Sequence, residues 1–212
     1  MSASTPSPPV ARATRSIFAG VARLRGGDRA FHPDGTTLRA RFRPAEGGEV
    51  PLLHHERDAL VRISRGVGLP ERWPDVLGCA VRVLDAYGRG AHQDFALASS
   101  HPARLARHAL VPALDSRCAF YSSILPYRFG AETVIVGATL GPDSVDLAIA
   151  APLGPWRRVA TVALGEEAPE AEARALRFNV LNSGGGIAPV GRLNSLRDPA
   201  YRGSQDASPG AA

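Results

Sequence analysis

The stretch TVIVGATLGPDSVDLAIAA, which runs from Thr133 to Ala151, decides the fold class of this 212-residue chain. It contains two apolar segments, 133–140 and 145–151, that are separated by the turn Gly141-Pro142-Asp143. Glycine and proline supply the backbone angles of a tight reversal, and the flanking segments have the length and composition of strands. The stretch therefore predicts a β-hairpin.

Strand-like segments recur along most of the chain. Six more precede or follow the hairpin, at 37–42, 60–64, 80–84, 94–99, 119–125 and 159–164. About eight strands in sequence, several joined by short turns, predict an antiparallel sheet that is large enough to close. Closure also removes the exposed edges of such a sheet. We expect an α+β fold dominated by a closed antiparallel β-barrel with a few peripheral helices.

Helical patterns are few. We expect helices at 101–108 and 167–176, and a short N-terminal helix, capped by Thr14, that packs across the barrel or its mouth. The apolar face of this N-terminal helix comprises Ile17, Phe18, Val21 and Leu24. Because residues 1–13 are rich in Ser, Thr and Pro, we predict a disordered tail there and another at 206–212. A single domain, 14–205, lies between these tails.

The composition, 44% hydrophobic and 21% charged, is typical of a soluble globular protein. No apolar run approaches the roughly 20 residues that a membrane-spanning helix needs, so we expect no membrane span and a cytoplasmic protein. The net charge of +5 rests on arginine, since the chain has no lysine. Scattered arginines and an aromatic content of 6% give little support to a nucleic-acid partner, and we expect none.

The two cysteines, Cys79 and Cys118, both lie in apolar, strand-like runs. Their spacing suggests neither a disulfide framework nor a metal site. A buried free thiol behaves as a small hydrophobic side chain. We therefore predict that both are core residues of a protein in a reducing compartment.

The stretch Arg29-Ala30-Phe31-His32-Pro33-Asp34-Gly35 places a histidine just before a rigid turn that leads into a strand. Proline fixes one backbone angle, and Asp-Gly tolerates the unusual ones. An imidazole titrates near neutrality and can take or give a proton, so His32 is a candidate catalytic residue. From this segment alone, a histidine on a surface turn is the simpler interpretation.

A second motif, Val61-Arg62-Ile63-Ser64, alternates apolar and polar residues. Because successive side chains of a strand point to opposite faces, Arg62 and Ser64 share one face, and the two apolar residues share the other. If the barrel holds a ligand, one of these pairs lines it. The glycines at Gly66 and Gly68 allow close approach of the backbone.

Taken in order, the motifs of this chain resemble the core of the haem catalases. The resemblance begins with Arg-x-x-His-x-x-Gly at Arg29 and Val-Arg-Ile-Ser at Val61. It continues with Asp-x-x-Gly-x-Ala-Val-Arg-Val at Asp75 and Asp-Phe-Ala-Leu at Asp94. Four later blocks are similar to motifs of shorter catalase-related proteins: 121–130, 178–182, 189–194 and Arg197-x-x-x-Tyr201. The set runs from Arg29 to about Gln205 in family order.

The resemblance implies a closed barrel that encloses a buried haem b. It implies that His32 is the distal histidine that acts on peroxide, and that Ser64 fixes its ring by a hydrogen bond. It implies further that Arg29 and Arg62 bind the haem propionates, a use that suits the bidentate guanidinium. Tyr201 would be the axial iron ligand, with Arg197 beside it.

The proposed ligand has a physical logic of its own. A tyrosinate is an anionic axial donor for haem iron, and a neighbouring arginine lowers the phenol pKa because it favours the charged form. Pro199, however, disfavours helix at the preceding residue, Asp198, so Arg197 need not face Tyr201.

The chain departs from the family pattern on the distal side. Where catalases have an asparagine that orients peroxide, the matching region reads Ala98-Ser99-Ser100. A serine hydroxyl is shorter and less directional than an amide, and the chain is much shorter than a full catalase. We therefore expect a slow peroxidase or a haem-dependent oxygenase acting on peroxide or a small organic substrate. A homodimer is one assembly open to it.

Two alternatives remain open at the level of sequence. One is a barrel that keeps the fold but binds no haem and serves as a non-catalytic small-molecule-binding protein. The other is a basic nucleic-acid-binding module, which the composition disfavours.

Adjacent histidines at His54 and His55 point opposite ways on a strand, so we interpret that segment as a solvated loop rather than a metal site. The glycine run that begins at Gly184 lacks the lysine and the spacing of a phosphate-binding loop.

Overall fold

The computed structural model describes residues 34–46, 53–66, 69–70 and 72–190. Of the predicted site residues, Arg62 and Ser64 are among them. Arg29, His32, Arg197 and Tyr201 lie outside the described residues, as do the N-terminal helix and both predicted tails.

Ten strands form one antiparallel sheet in the described residues. They are β1 (Asp34–Pro44), β2 (Arg57–Arg65), β3 (Leu77–Val83), β4 (Gln93–Ser100), β5 (Phe120–Ser122), β6 (Tyr127–Phe129), β7 (Glu132–Leu140), β8 (Ser144–Ala150), β9 (Arg157–Glu167) and β10 (Ile187–Pro189). Eight of them pair in the order β7-β5-β4-β3-β2-β1-β9-β8, and β8 pairs back to β7. This closes the predicted barrel, while β6 and β10 extend from β7 as a side branch.

The barrel closes around an apolar interior to which strands such as β3, β4 and β8 contribute every second residue. In β2, Val61 faces inward and is fully buried, and its partners across the register are Leu38 on β1 and Val81 on β3. Phe95 on β4 pairs with Val81 and continues the same inner layer. The interior is therefore filled by side chains. The hairpin predicted at 133–151 is present as β7 and β8.

Several predicted boundaries are wrong for identifiable reasons. The strand expected at 119–125 ends at Ser122, because Ile124 has a φ of 60°, which a β-branched residue in a strand does not adopt. The helix expected at 101–108 is only a 3₁₀ turn, Ala106–His108. The helix expected at 167–176 is the single turn and a half of α1 (Glu170–Ala175), because β9 stays paired with β1 as far as Glu167.

No helix among the described residues has the length and apolarity needed to cross a membrane.

The two cysteines have different environments. Cys79 is buried on the inner face of β3, and burial raises the pKa of its thiol to about 12. Cys118 is exposed, with its Sγ 3.6 Å from the Oδ2 of Asp115 in a turn. The prediction of a core position is correct for Cys79 and wrong for Cys118, because the apolar run around Cys118 begins to enter the barrel only at the next residue, Ala119.

Candidate functional site

Arg62 and Ser64 both point to the outer face of the barrel. Their strand neighbours Val61 and Ile63 take the inner face, where the register pairs them with Val81 and Cys79. Since the interior is packed, a ligand that meets Arg62 and Ser64 must lie against the outside of the sheet. This answers the question that the alternating motif left open.

The outer face around these two residues is nearly free of side chains. Ser64 is followed across the register by Gly78 on β3 and Ala98 on β4. One row further along the strands, Arg62 is followed by Ala80 and Ala96. We call these positions the small-residue patch: Ser64, Gly78, Ala80, Ala96 and Ala98. The three alanines are only half-buried, so the patch is a flat, partly open apolar floor with a guanidinium at one side.

Arg62 lies at the edge of a hollow of about 380 Å³ between β1, β2 and α1. Its Nη1 donates a hydrogen bond to the Oγ1 of Thr37, 3.2 Å away on β1. Further lining residues come from the end of β9 and from α1: Glu167, Ala168, Glu170, Ala173 and Arg174. The guanidinium is thus tethered beside an open space whose lining carries two arginines and two glutamates.

Ser64 is 8% exposed and lies directly under the start of β1. A Cβ atom on Gly35 would come 2.7 Å from the Cβ of Ser64 and 2.5 Å from the carbonyl oxygen of Ile63. Only glycine allows β1 to begin this close to Ser64. The chain that leads back to His32 therefore leaves from a point in contact with Ser64.

The three residues in the region that matches the catalase asparagine differ in orientation and in hydrogen bonding. Ala98 points outward and lies opposite Gly78 in the small-residue patch. Ser99 faces inward, and its Oγ accepts a hydrogen bond from the backbone N–H of Leu77 at 2.9 Å. The Ser100 hydroxyl is held by backbone carbonyls, with the oxygen of Ala109 at 2.8 Å. Neither hydroxyl is free to take the place of the amide on the patch.

Two walls flank the patch. On one side, the Ser122 hydroxyl donates to the carbonyl oxygen of Arg107, which brings the turn after β4 onto the outer face. Arg107 in turn stacks over the Trp156 ring, 4.3 Å from its centroid. On the other side, residues 177–182 lie against Arg82 and Asp94, one row below Ala80 and Ala96. The motif at 178–182 is visible in the sequence, but its position beside Arg82 and Asp94 is not.

The acidic and histidine cluster near residue 55 behaves as a solvated surface. The Glu56 carboxylate pairs with Arg41 at 3.2 Å and with Arg43 at 3.3 Å, and all three side chains are about half exposed. Within the part of the chain that the structure describes, no group of three or more His, Cys, Asp or Glu side chains could hold a metal ion. The interpretation of this segment as a loop on the protein surface agrees with these contacts.

The three described tyrosines are not suited to be phenolate ligands. Tyr87 donates its hydroxyl to Gln93 and Tyr121 donates to the carbonyl oxygen of Ser116. Burial is the main cause that raises the pKa of both phenols, which keeps them protonated. Tyr127 is buried in the core against the Phe95 ring. The chain has four tyrosines, so Tyr201 is the remaining one.

Comparison with solved structures places this architecture among the catalases. A bacterial catalase matches with a TM-score of 0.64 at 13% identity, over 97% of this chain and 62% of that one. A fungal catalase matches with a TM-score of 0.63 at 12% identity, over 98% and 64%. Catalase A from Saccharomyces cerevisiae gives 0.61 at 11% identity, over 98% and 66%. The chain thus has a catalase-like fold and spans just under two thirds of the length of these catalases.

The sequence comparisons do not extend that result. No protein-family model and no curated protein matches the chain. The catalase-like fold expected from the ordered motifs is therefore confirmed by structure, and function has to be argued from the site.

The described residues fit the prosthetic group that the fold family implies. Haem is a flat macrocycle with two carboxylate side chains, and the small-residue patch is a flat floor beside one tethered guanidinium. Arginine is well suited to bind such carboxylates. On these grounds the outer face of β2–β4 can accept a haem.

Proposed function

We propose that this protein binds haem b against the small-residue patch and acts as a slow peroxidase or haem-dependent oxygenase. The observation that carries the proposal is that Arg62 and Ser64 point together onto an outer face otherwise built from glycine and alanine. Its substrate would be a peroxide or a small organic molecule.

Arg62, together with Arg29, would hold the propionates, and Tyr201 would be the axial ligand with Arg197 beside it. The assignment of Tyr201 is supported by elimination, since the other three tyrosines are engaged or buried elsewhere. A bound haem would supply the redox chemistry on the substrate. The chain itself would supply the anionic phenolate and the cationic clamp that fixes the ring.

His32 would take and return the peroxide proton, and Ser64 would orient its imidazole. His32 lies three positions before Gly35, and an extended chain covers at most about 11 Å over that span. Because Gly35 pairs with Ser64 in the strand register, we expect His32 on the Ser64 side of the patch. General acid–base catalysis by a positioned histidine contributes about 10²–10⁴-fold in rate.

The replacement of an amide by Ala98 supports a slow reaction. No side-chain donor of the described patch besides Arg62 and Ser64 is placed to hold a second peroxide oxygen, because the hydroxyls of Ser99 and Ser100 are committed elsewhere. Pre-positioned donors of this kind contribute about 10²–10³-fold.

The first prediction concerns binding itself. Titrating the purified full chain with hemin should give a Soret band with one-to-one stoichiometry. Tyr201→Phe should shift or abolish the band because it removes the axial oxygen donor. The matched control is Tyr87→Phe, which removes a phenol hydroxyl bonded to Gln93 and should leave the band in place. An unchanged band in Tyr201→Phe would refute the ligand assignment, and no band in the wild type would leave the haem-free barrel as the better account.

The second prediction concerns the distal side. In the hemin-loaded protein, Ala98→Asn should raise the rate of hydrogen peroxide turnover on the order of 10-fold, because it places an amide in the same row as Ser64, across the bare position of Gly78. Ala96→Asn is the matched control, since it adds the same group one row away, in the row of Ala80 and Arg62. Equal rates for the two variants would contradict the placement of the distal face at Ala98.

A further inference from the structure

The outer-face carboxylate of Asp94 is fully buried and accepts four hydrogen bonds. Two come from Arg82, whose Nε lies 2.7 Å from Oδ1 and whose Nη2 lies 2.6 Å from Oδ2. The other two come from the backbone N–H of Asn179, at 2.8 Å, and the Nδ2 of Asn182, at 3.0 Å. Two of the four hydrogen bonds to this carboxylate therefore come from the segment 177–182.

The same segment is fixed to the pair by further contacts. Arg82 donates from Nη2 to the carbonyl oxygen of Arg177, and its guanidinium lies 5.3 Å from the centroid of the Phe178 ring. The backbone N–H of Asp94 donates to the carbonyl oxygen of Asn182 at 2.8 Å. Residues 177–182 form no helix or strand of their own, so these contacts to β3 and β4 define where they lie.

The position of this segment matters because of what it borders. Arg82 and Asp94 pair across β3 and β4 one row below Ala80 and Ala96. Rows on one face of a strand are separated by two residues, or about 7 Å. Residues 177–182 therefore stand as a wall directly beside the small-residue patch.

We propose that Asp94 is a positioning residue of this site: it acts through residues 177–182, whose placement sets the boundary of the patch. The inference rests on the proposed function in that the patch is taken as the haem-binding face. Asp94 itself need not touch the ligand. Its role is to convert an irregular segment into a fixed wall by charge-assisted hydrogen bonds, which are roughly twice as strong as neutral ones.

The far end of the segment has an independent anchor. The Gln93 side chain, also fully buried, donates from Nε2 to the Oγ of Ser183, and the ring of Tyr87 packs against Gly184. Loss of the Asp94 contacts should therefore loosen 177–182 locally and leave the chain beyond Ser183 in place.

The test is Asp94→Asn in the full chain, measured by amide hydrogen exchange and by hemin titration. The amide replaces an acceptor by a donor that faces Arg82 and Asn182. We expect exchange in the peptide that covers 177–182 to become at least about 10-fold faster, and the hemin dissociation constant to rise about 10-fold. Asp146→Asn is the control, because this carboxylate also lies on the outer face of a strand but binds Thr161 and Arg158 of the neighbouring strand. It should change neither quantity.

A rescue distinguishes positioning from general damage. In Asp94→Asn/Asn182→Asp, the hydrogen bond between the two side chains is restored with donor and acceptor exchanged, so hemin affinity and the exchange rate should recover in part. If Asp94→Asn does not fold, Asn182→Ala removes a single donor and should show the same two effects in smaller degree.

The two proposals fail in different ways. Faster exchange at 177–182 with unchanged hemin affinity would overturn the role of Asp94 and leave haem binding intact. Unchanged exchange in Asp94→Asn would overturn it as well. A wild-type protein that binds no hemin would overturn the proposed function, and exchange would still report on whether Asp94 holds the segment.

Discussion

Phe95→Ala should lower the free energy of unfolding by about 3–5 kcal/mol, the range for truncating a buried aromatic side chain. Phe95 is 2% exposed at the centre of the inner layer, with the rings of Tyr127 and Phe129 at 6.1 and 6.4 Å between centroids. Its removal leaves a cavity that the surrounding strands cannot close, because each is held in register on both sides. Urea or thermal unfolding followed by far-ultraviolet circular dichroism measures the loss.

Phe120→Ala is the matched control on the outside of the barrel. Phe120 is only half-buried and packs against Trp156, with 5.1 Å between ring centroids. Its truncation exposes the Trp156 ring to water without opening an enclosed cavity, so the cost should be less than half of that for Phe95. Equal costs would mean that the interior has room to relax, and the argument that a ligand must bind outside the barrel would lose its support.

The location of the site depends on this distinction between the two faces. The sequence motif Val-Arg-Ile-Ser predicts that Arg62 and Ser64 share a face, but it does not predict which face borders the packed interior of the barrel. The structure decides this through the partners across the register: Val61 meets Val81, whereas Arg62 meets Ala80. Because Arg62 and Ser64 both point away from the interior, a flat ligand that contacts them lies on the outer face of β2–β4.

Local pattern was enough to predict most of the barrel. Strands of seven or more residues carry their own alternation and turn signals, and all of them were predicted. The three-residue strands β6 and β10 were missed because a run that short has no measurable period. They are defined by pairing alone, β6 with β7 and β10 with β6. The helix expected at 101–108 failed because the Ser100 hydroxyl binds the carbonyl oxygens of Ala106 and Ala109, which favours a turn.

The candidate site likewise contains residues that a local sequence pattern predicts and residues that it does not. Arg62 and Ser64 could be found from a four-residue motif, since their shared face follows from strand geometry. The wall at 177–182 could not, because Asp94 meets Asn179 and Asn182 across more than 80 positions of sequence. An aspartate at the start of a strand resembles any exposed polar residue until its partners are known. Long-range polar pairing of this kind has no local periodicity from which to predict it.

Arg82→Met should destabilise the protein by about 3–5 kcal/mol, because it leaves the Asp94 carboxylate buried without its cation. The Asp94 side chain is 0% exposed and that of Arg82 12%, so water cannot replace the lost guanidinium. Methionine keeps much of the length of the arginine stem, and the loss therefore reports on charge rather than on packing. The measurement is chemical denaturation at neutral pH, with amide exchange at 177–182 as a local readout.

Arg158→Met is the control for removing an arginine from an ion pair on a barrel strand. Its guanidinium lies 3.7 Å from the Asp146 carboxylate, and both side chains are largely exposed, at 64% and 44%. Exposed pairs contribute only about 0–1 kcal/mol, so this variant should unfold almost as the wild type does. In the double variant Arg82→Met/Asp94→Asn, part of the stability should return, because a neutral amide tolerates burial without a cation. If the loss of unfolding free energy in the double variant equals the sum of the losses in the two single variants, Arg82 and Asp94 act independently. That result would contradict the hydrogen-bonded unit that the structure describes.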